Sequence, residues 1–400
     1  MQISQLSFRT IVSMFALFVF LTVPGRVGAS DKNGALPVSK DSYFMYVGTY
    51  TKEGSTSKGI YAYRYDPGSA KLTSIGLAAE TINPSFLAVH PNHRFLYAVN
   101  EVGDYKGQKS GGVSAFAIDN VTGKLTLLNE VASGGADPCY ITVDKTGKFV
   151  LVANYTGGSV SVFPVLKDGS LGEASAFVQH TGHGTDPKRQ EAPHAHSIDL
   201  SPDNRFAIVD DLGLDETLVY KFDSAKGSLT LNDPPFAKAD AGAGPRHLAL
   251  NPNEKFAYVI HEMGSTVSVF DYDATGGVLH PVQTISTIPK GFAGLNEDAE
   301  IEVHPSGKFL YASNRGHDSI AVFAIDPNQG TLTLIEYVPT KGQSPRHFEI
   351  DPTGSLLFAE NEKSDNVVIF RINQQSGRLT ATGKVLDISQ PVCVKFVPIK

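Results

Sequence analysis

PRHLALNPNEKFAYVIHE, residues 245–262, decides how this chain folds. A short apolar run comes first. A turn built on Asn251, Pro252, Asn253 and Lys255 follows, and a second apolar run closes on the polar pair His261 and Glu262. Apolar runs of this length separated by Asn/Pro turn chemistry read as two strands of a hairpin. The same pattern returns as PSFLAVHPNHRFLYAVNE (84–101), PCYITVDKTGKFVLVANY (138–155), HSIDLSPDNRFAIVDDL (196–212), DAEIEVHPSGKFLYASNR (298–315) and PRHFEIDPTGSLLFAENE (345–362). A half copy, PVCVKFVPIK (391–400), ends the chain.

Aligned on the turn, the copies are anchored at Pro91, Lys145, Pro202, Pro252, Pro305, Pro352 and Pro398, in steps of 46 to 57 residues. A period near 50 residues with four strands per unit is the signature of propeller blades. Third strands follow the hairpins, as in GVSAFAID (112–119), STVSVFDYD (265–273) and SIAVFAID (319–326). Fourth strands come after a TG-type turn, as in LTLLNE (125–130) and LTLIEY (332–337). The pattern predicts no helix in the mature chain.

The two ends fix the count. The half copy is a first strand with nothing after it. YFMYVGTYT (43–51) is a second strand with nothing before it, and GIYAYRYD (59–66) is a third. Together they complete one blade and close the ring. The expected fold is all-β: a seven-bladed β-propeller of four-stranded antiparallel blades, one domain over residues 41–400, with a flexible lead-in at 30–40.

Residues 1–29 read as a signal peptide. Arg9 supplies the positive start, residues 11–21 the apolar stretch, and Val27-Gly28-Ala29 the small-residue cleavage site, with cleavage expected after Ala29. The apolar run is short of the roughly 20 residues that span a bilayer. A periplasmic or secreted protein is therefore expected, with no membrane contact after cleavage. The net charge is −7, and losing Arg9 and Arg26 with the leader takes it to −9. No run of five basic residues occurs, so binding to nucleic-acid phosphates is not expected. Cys139 and Cys393 fall two blades apart and are expected as free thiols. A monomer is expected.

The first strand of each blade lines the central channel, so its leading positions converge on one mouth. In register these run Ser85, Cys139, His196, Arg246, Ala299, Arg346, Val392, then Phe86, Tyr140, Ser197, His247, Glu300, His347, Cys393. Copies three to six thus supply His196, Arg246, His247, Glu300, Arg346 and His347, where a purely structural repeat would keep small or apolar residues. The second strands end on Asn100, Asn154, Asp211, His261, Asn314 and Asn361, of which the Asn residues read as turn formers. They are followed by Glu101, Tyr155, Leu212, Glu262, Arg315 and Glu362. Arginine grips carboxylates or phosphates, and His or Glu can move protons. The other reading of these residues is ion pairing between blades. His194 and His196, two apart, could share a strand face and a metal. No third ligand accompanies them, so neither metal nor cofactor is expected. Glu191, Asp199 and Asp203 read as solvated or turn residues.

YVGTYT (46–51), NPSFLAVHPN (83–92), APHAHSIDLSPD (192–203), GPRHLALNPN (244–253), AEIEVHPSGKFLYASNRG (299–316) and SPRHFEIDPTG (344–354) carry a resemblance. The chain resembles the lactonase family of seven-bladed propellers, typified by the propeller-type bacterial 6-phosphogluconolactonase and the fungal carboxy-muconate cyclase. The likeness covers nearly all of residues 43–398. It implies hydrolysis of a sugar lactone at the channel mouth, with a small anionic lactone or sugar acid as ligand. His196, Glu262 and Arg315 would be catalytic, with His196 or Glu262 as base. His194 and Arg246, together with His247, Glu300, Arg346 and His347 from the register, would surround the substrate. Ring closure of a muconate is the second reading that the resemblance allows, and a non-catalytic scaffold is a third.

Overall fold

The predicted hairpins form the inner half of every blade. The computed structural model describes residues 42–399, and the leader, its cleavage site and residues 30–40 lie outside them. Twenty-eight strands make seven four-stranded sheets. The inner strands are β4 (Leu87–Val89), β8 (Pro138–Val143), β12 (Ala195–Leu200), β16 (Pro245–Leu250), β20 (Glu297–Val303), β24 (Pro345–Ile350) and β28 (Pro391–Pro398). β28 pairs antiparallel with β1 (Tyr43–Thr49), so the two ends of the chain share one blade, and β28 also touches β24 and β4 on either side. One short 3-10 turn, Glu362–Ser364, is the single departure from the expected helix-free chain among the described residues.

Asp144 shows how the anchor turns hold. Its carboxylate accepts hydrogen bonds from the Thr146 side chain and backbone and from the amides of Lys148 and Phe149. Asp351 does the same with Thr353, Ser355 and Leu356. An acceptor at the first turn position replaces the backbone bonds that the reversing chain loses.

The core lies between blades. In five blades the Phe that opens the second strand packs on a glycine in the outer hairpin of the next blade. Phe256 sets its ring against Gly330, and two residues on, the Tyr258 hydroxyl donates to the Gly330 carbonyl at 3.0 Å. The pairs Tyr97–Gly169, Tyr311–Gly377 and Tyr46–Gly123 repeat that bond. The TG-type turn is thus both a strand connection and the receptor for the neighbouring blade. Gly330 has φ +69° and no room for a side chain.

In several blades the polar residue ending the second strand ties that blade to the one before. Asn100 donates to Thr81 and to the Ile82 carbonyl, and Asn314 donates to the Thr287 carbonyl. Asp211 sits 2.6 Å from His180 Nδ1.

Candidate active site

A β-bulge recurs at the start of six inner strands. Pro138 and Tyr140 oppose Asn154 and Ala153, so Cys139 is the extra residue between them. His196, Arg246 and Arg346 are the extra residues of β12, β16 and β24, Val392 that of β28, and the Ala299–Glu300 stretch carries the irregularity of β20. A bulge re-aims one side chain out of the regular alternation. Here it turns His196, Arg246 and Arg346 towards the channel mouth. The bulge at His196 also breaks the two-residue period that would have put His194 and His196 on one strand face.

Glu262 stands at the centre. Arg246 Nε donates to its Oε2 at 3.0 Å, Arg315 Nη2 lies 2.8 Å from Oε2, and Arg189 Nη2 bonds Oε1. His196 Nε2 is 3.8 Å from Oε2, close but unbonded. The fold therefore brings together the four residues His196, Arg246, Glu262 and Arg315 that the register singles out. Arg246 is 2% exposed and Glu262 is 4% exposed, so this is a cluster sunk in the mouth and not a surface patch.

The charges are set by that burial. Desolvation alone would raise the Glu262 pKa, but Arg315, Arg246 and Arg189 hold it far below the usual carboxylate range. Burial, then Arg315 and Arg346, pushes Arg246 down to about 10, still cationic at neutral pH. Burial, then Arg246, His247, Arg346 and Arg315, lowers His196 well below the ordinary imidazole value. The site at neutral pH is a permanently ionised carboxylate, guanidinium groups around it and a neutral imidazole beside it.

The donors that remain define what the cluster can do. Arg246 Nη1 bonds the Ala299 carbonyl, and Arg315 bonds the carbonyls of Glu297 and Asp298. Arg246 Nη2 and Arg315 Nη1 donate no hydrogen bond among the described residues. Two fixed guanidinium edges beside a neutral imidazole can stabilise an oxyanion while a proton moves.

Other predicted residues lie elsewhere. His194 precedes β12, stacks on Tyr155 with ring centroids 4.6 Å apart, and contacts the Tyr155 carbonyl through Nδ1 at 3.0 Å. His247, Glu300 and His347 form a layer beneath the mouth. His247 Nδ1 is 3.1 Å from Glu300, His347 Nε2 is 3.4 Å from Glu300, and His347 Nδ1 is 2.7 Å from Glu360. Burial lowers His247 to about 4 and His347 to about 3, and both imidazoles are neutral at physiological pH. The Phe86 and Tyr140 rings stack 4.3 Å apart and meet His247 edge-on, closing this layer. Arg346 stands at the mouth, 4.0 Å from Glu101.

Asp199 corrects the reading of it as a solvated or turn residue. It is on β12, accepts the Tyr140 hydroxyl at 2.8 Å, and burial raises its pKa to about 7. Cys139 and Cys393 are free and buried. The Cys139 thiol donates to the His196 carbonyl at 3.3 Å, and burial keeps it protonated.

Sequence reasoning missed Arg189. It sits in the connection between β11 (Ala176–Gln179) and β12, outside the repeat, so no register position points to it. Its one signal is the adjacency of Lys188-Arg189 to the PHAH motif. Arg189 also pairs with Glu297 at 2.7 Å and reaches the Tyr155 hydroxyl at 3.4 Å. Among the described residues no group of three or more His, Cys, Asp or Glu is arranged to hold a metal ion.

Comparison with known proteins agrees with this architecture. Residues 44–396 match the family described as lactonase, seven-bladed beta-propeller. A 6-phosphogluconolactonase of Bacillus subtilis is 40% identical over 355 residues, 89% of this chain and 98% of that protein. The periplasmic gluconolactonase PpgL of Pseudomonas aeruginosa superposes with a TM-score of 0.83 at 32% identity, over 90% of this chain and all of that one. A Lactobacillus plantarum protein of known structure gives 0.81 at 36% identity, over 89% and 99%. A ring of seven blades, its closure by the two chain ends, and a match across nearly the whole ring lead to one conclusion: the chain belongs to the lactonase family of seven-bladed β-propellers.

Proposed function

We propose that this protein hydrolyses a sugar lactone at the channel mouth. The observation that carries the reading is Glu262, a buried carboxylate held by Arg189, Arg246 and Arg315, with neutral His196 at 3.8 Å. Family membership and the relatives named for lactone hydrolysis support it.

The lactone carbonyl lies against Arg246 Nη2 and Arg315 Nη1. His196 Nε2 takes a proton from water as its oxygen attacks the carbonyl carbon, and the two guanidinium edges stabilise the oxyanion that forms. The imidazolium is stabilised by Glu262. It then returns the proton to the ring oxygen as the C–O bond breaks, leaving a hydroxy acid. Glu262 has its lone pairs engaged by three guanidinium groups, so it positions the arginines and offsets the imidazolium charge. His196 is the base. His194 and Tyr155 wall the site beside it. His247, Glu300 and His347 support Arg246 from below, and Arg346 meets the far end of the substrate.

The leader-like residues 1–29 and the periplasmic relative support export to the periplasm or beyond, and we propose that the protein acts there as a monomer. No helix among the described residues is long and apolar enough to cross a membrane. The test is base consumption in a pH-stat with gluconolactone and a carboxylated muconolactone, corrected for spontaneous opening. Acceleration that disappears in Arg315→Ala supports the reading. No acceleration with either compound overturns it and turns attention to ring closure.

A further inference from the structure

Arg346, on the bulge of β24, faces Tyr50 and Glu101 at a second corner of the mouth. Among the described residues its guanidinium donates no hydrogen bond; its nearest carboxylate oxygen, Glu101 Oε1, is 4.0 Å away. The guanidinium lies over the Tyr50 ring, 5.4 Å from the centroid. The Tyr50 hydroxyl lies 2.9 Å from each Glu101 oxygen and donates to that carboxylate, which fixes it and stops it closing on Arg346. The side chains of Arg346 and Glu101 are 16% and 18% exposed, so the corner is recessed but open to the mouth.

A separation of 4.0 Å is too long for a direct hydrogen bond. It is the spacing that one hydroxyl can bridge, accepting from the guanidinium and donating to the carboxylate, each at about 2.8 Å. We propose that Tyr50, Glu101 and Arg346 form a polyol subsite, which binds the hydroxyl groups of an unphosphorylated sugar lactone and gives a phosphate no advantage. The proposal rests on the lactone-hydrolase reading and names its substrate class.

Charge balance supports it. Arg189, Arg246 and Arg315 share Glu262 and Glu297. Lys52, 3.7 Å from the Tyr50 ring centroid, pairs with Glu362 at 3.4 Å. Arg346 has Glu101 beside it. Three arginines thus share two carboxylates at the catalytic cluster, whereas at this corner Arg346 and Glu101 offset one another. A phosphate dianion drawn to Arg346 comes equally near Glu101, and attraction and repulsion at like distances are of like size. It would also shed its hydration. A hydroxyl is donor and acceptor in one atom and matches the split pair. Arg346 holds on β24 the bulge position that His196 and Arg246 hold on β12 and β16, so this corner and the catalytic cluster open on the same mouth.

The test compares kcat/KM for gluconolactone and 6-phosphogluconolactone in wild type and Glu101→Gln, with calorimetric binding of gluconate to wild type and Arg346→Met. Glutamine keeps an acceptor for Tyr50 and removes the charge. Wild type should favour the unphosphorylated lactone by tenfold or more. Glu101→Gln should move the ratio about tenfold towards the phosphorylated one. Wild-type preference for the phosphorylated lactone, or an unchanged ratio in the variant, would overturn the proposal. Inactivity towards both lactones sinks the hydrolase reading alone. Calorimetry then decides the subsite: gluconate binding weakened about tenfold in Arg346→Met upholds it, and unchanged binding overturns it.

Discussion

Replacing Glu262 with glutamine removes the charge on which the cluster is built. Two effects follow, and the structure sizes both. First, the imidazolium formed on His196 loses a carboxylate 3.8 Å away. At an effective dielectric near 20 that interaction is about 4 kcal/mol, which corresponds to a fall in kcat on the order of a thousandfold. Second, Arg246 keeps its charge at 2% exposure without its counter-ion. Breaking a buried pair on one side costs about 3–5 kcal/mol, and in a domain of this size that lowers the melting temperature by about 5 °C. Steady-state pH-stat kinetics on the purified variant, with circular dichroism at the assay temperature to show that it is folded, measure both. KM should move much less than kcat, because Glu262 acts through the arginines and the imidazolium. A folded Glu262→Gln protein with kcat within about tenfold of wild type would refute the reasoning.

Three further outcomes are expected. Because burial and four cationic or imidazole neighbours lower the His196 pKa, its neutral form persists as pH falls through 6.5, and the acid limb of kcat/KM lies below that value; a limb centred at or above 6.5 would remove His196 as the base. Cys139→Ala removes weak thiol contacts to the His196 carbonyl at 3.3 Å and to its Nδ1 at 3.6 Å and should change kcat by about threefold or less, whereas a hundredfold loss would point to a chemical role for the thiol. Gly330→Ala places a Cβ 2.4 Å from the Phe256 ring at φ +69° and should cost about 3 kcal/mol by denaturant unfolding; Gly383→Ala, at φ +78° with no atom within 4 Å, should cost about 1 kcal/mol, and equal losses would contradict the inter-blade latch.

The ring was legible because each blade repeats its own chemistry. The anchor turn, the Phe that opens the second strand and the TG turn each answer a local need, and the split blade at the ends is visible as two incomplete copies. The clustering of His196, Arg246, Glu262 and Arg315 was legible for the same reason: residues in one register occupy equivalent places around one channel. Arg189 was not, because its loop belongs to no repeat. Nor was the division between mouth and buried layer, since the bulge that turns Arg246 outward while His247 stays beneath is a backbone irregularity with no residue code of its own. The role of Glu262 was hidden too. A sequence shows a carboxylate, and only the three guanidinium groups around it show that it cannot readily take a proton. Asp199 read as a solvated or turn residue because nothing in its neighbours reveals that Tyr140 of the adjacent blade reaches it.

The most direct test is a crystal structure with gluconolactam, the ring-nitrogen analogue that resists opening. The lactam carbonyl oxygen should lie within hydrogen-bond reach of Arg246 Nη2 and Arg315 Nη1, with His196 Nε2 facing the carbonyl carbon across room for one water. A lactam bound away from Glu262, or one whose carbonyl points from both arginines, would contradict this placement.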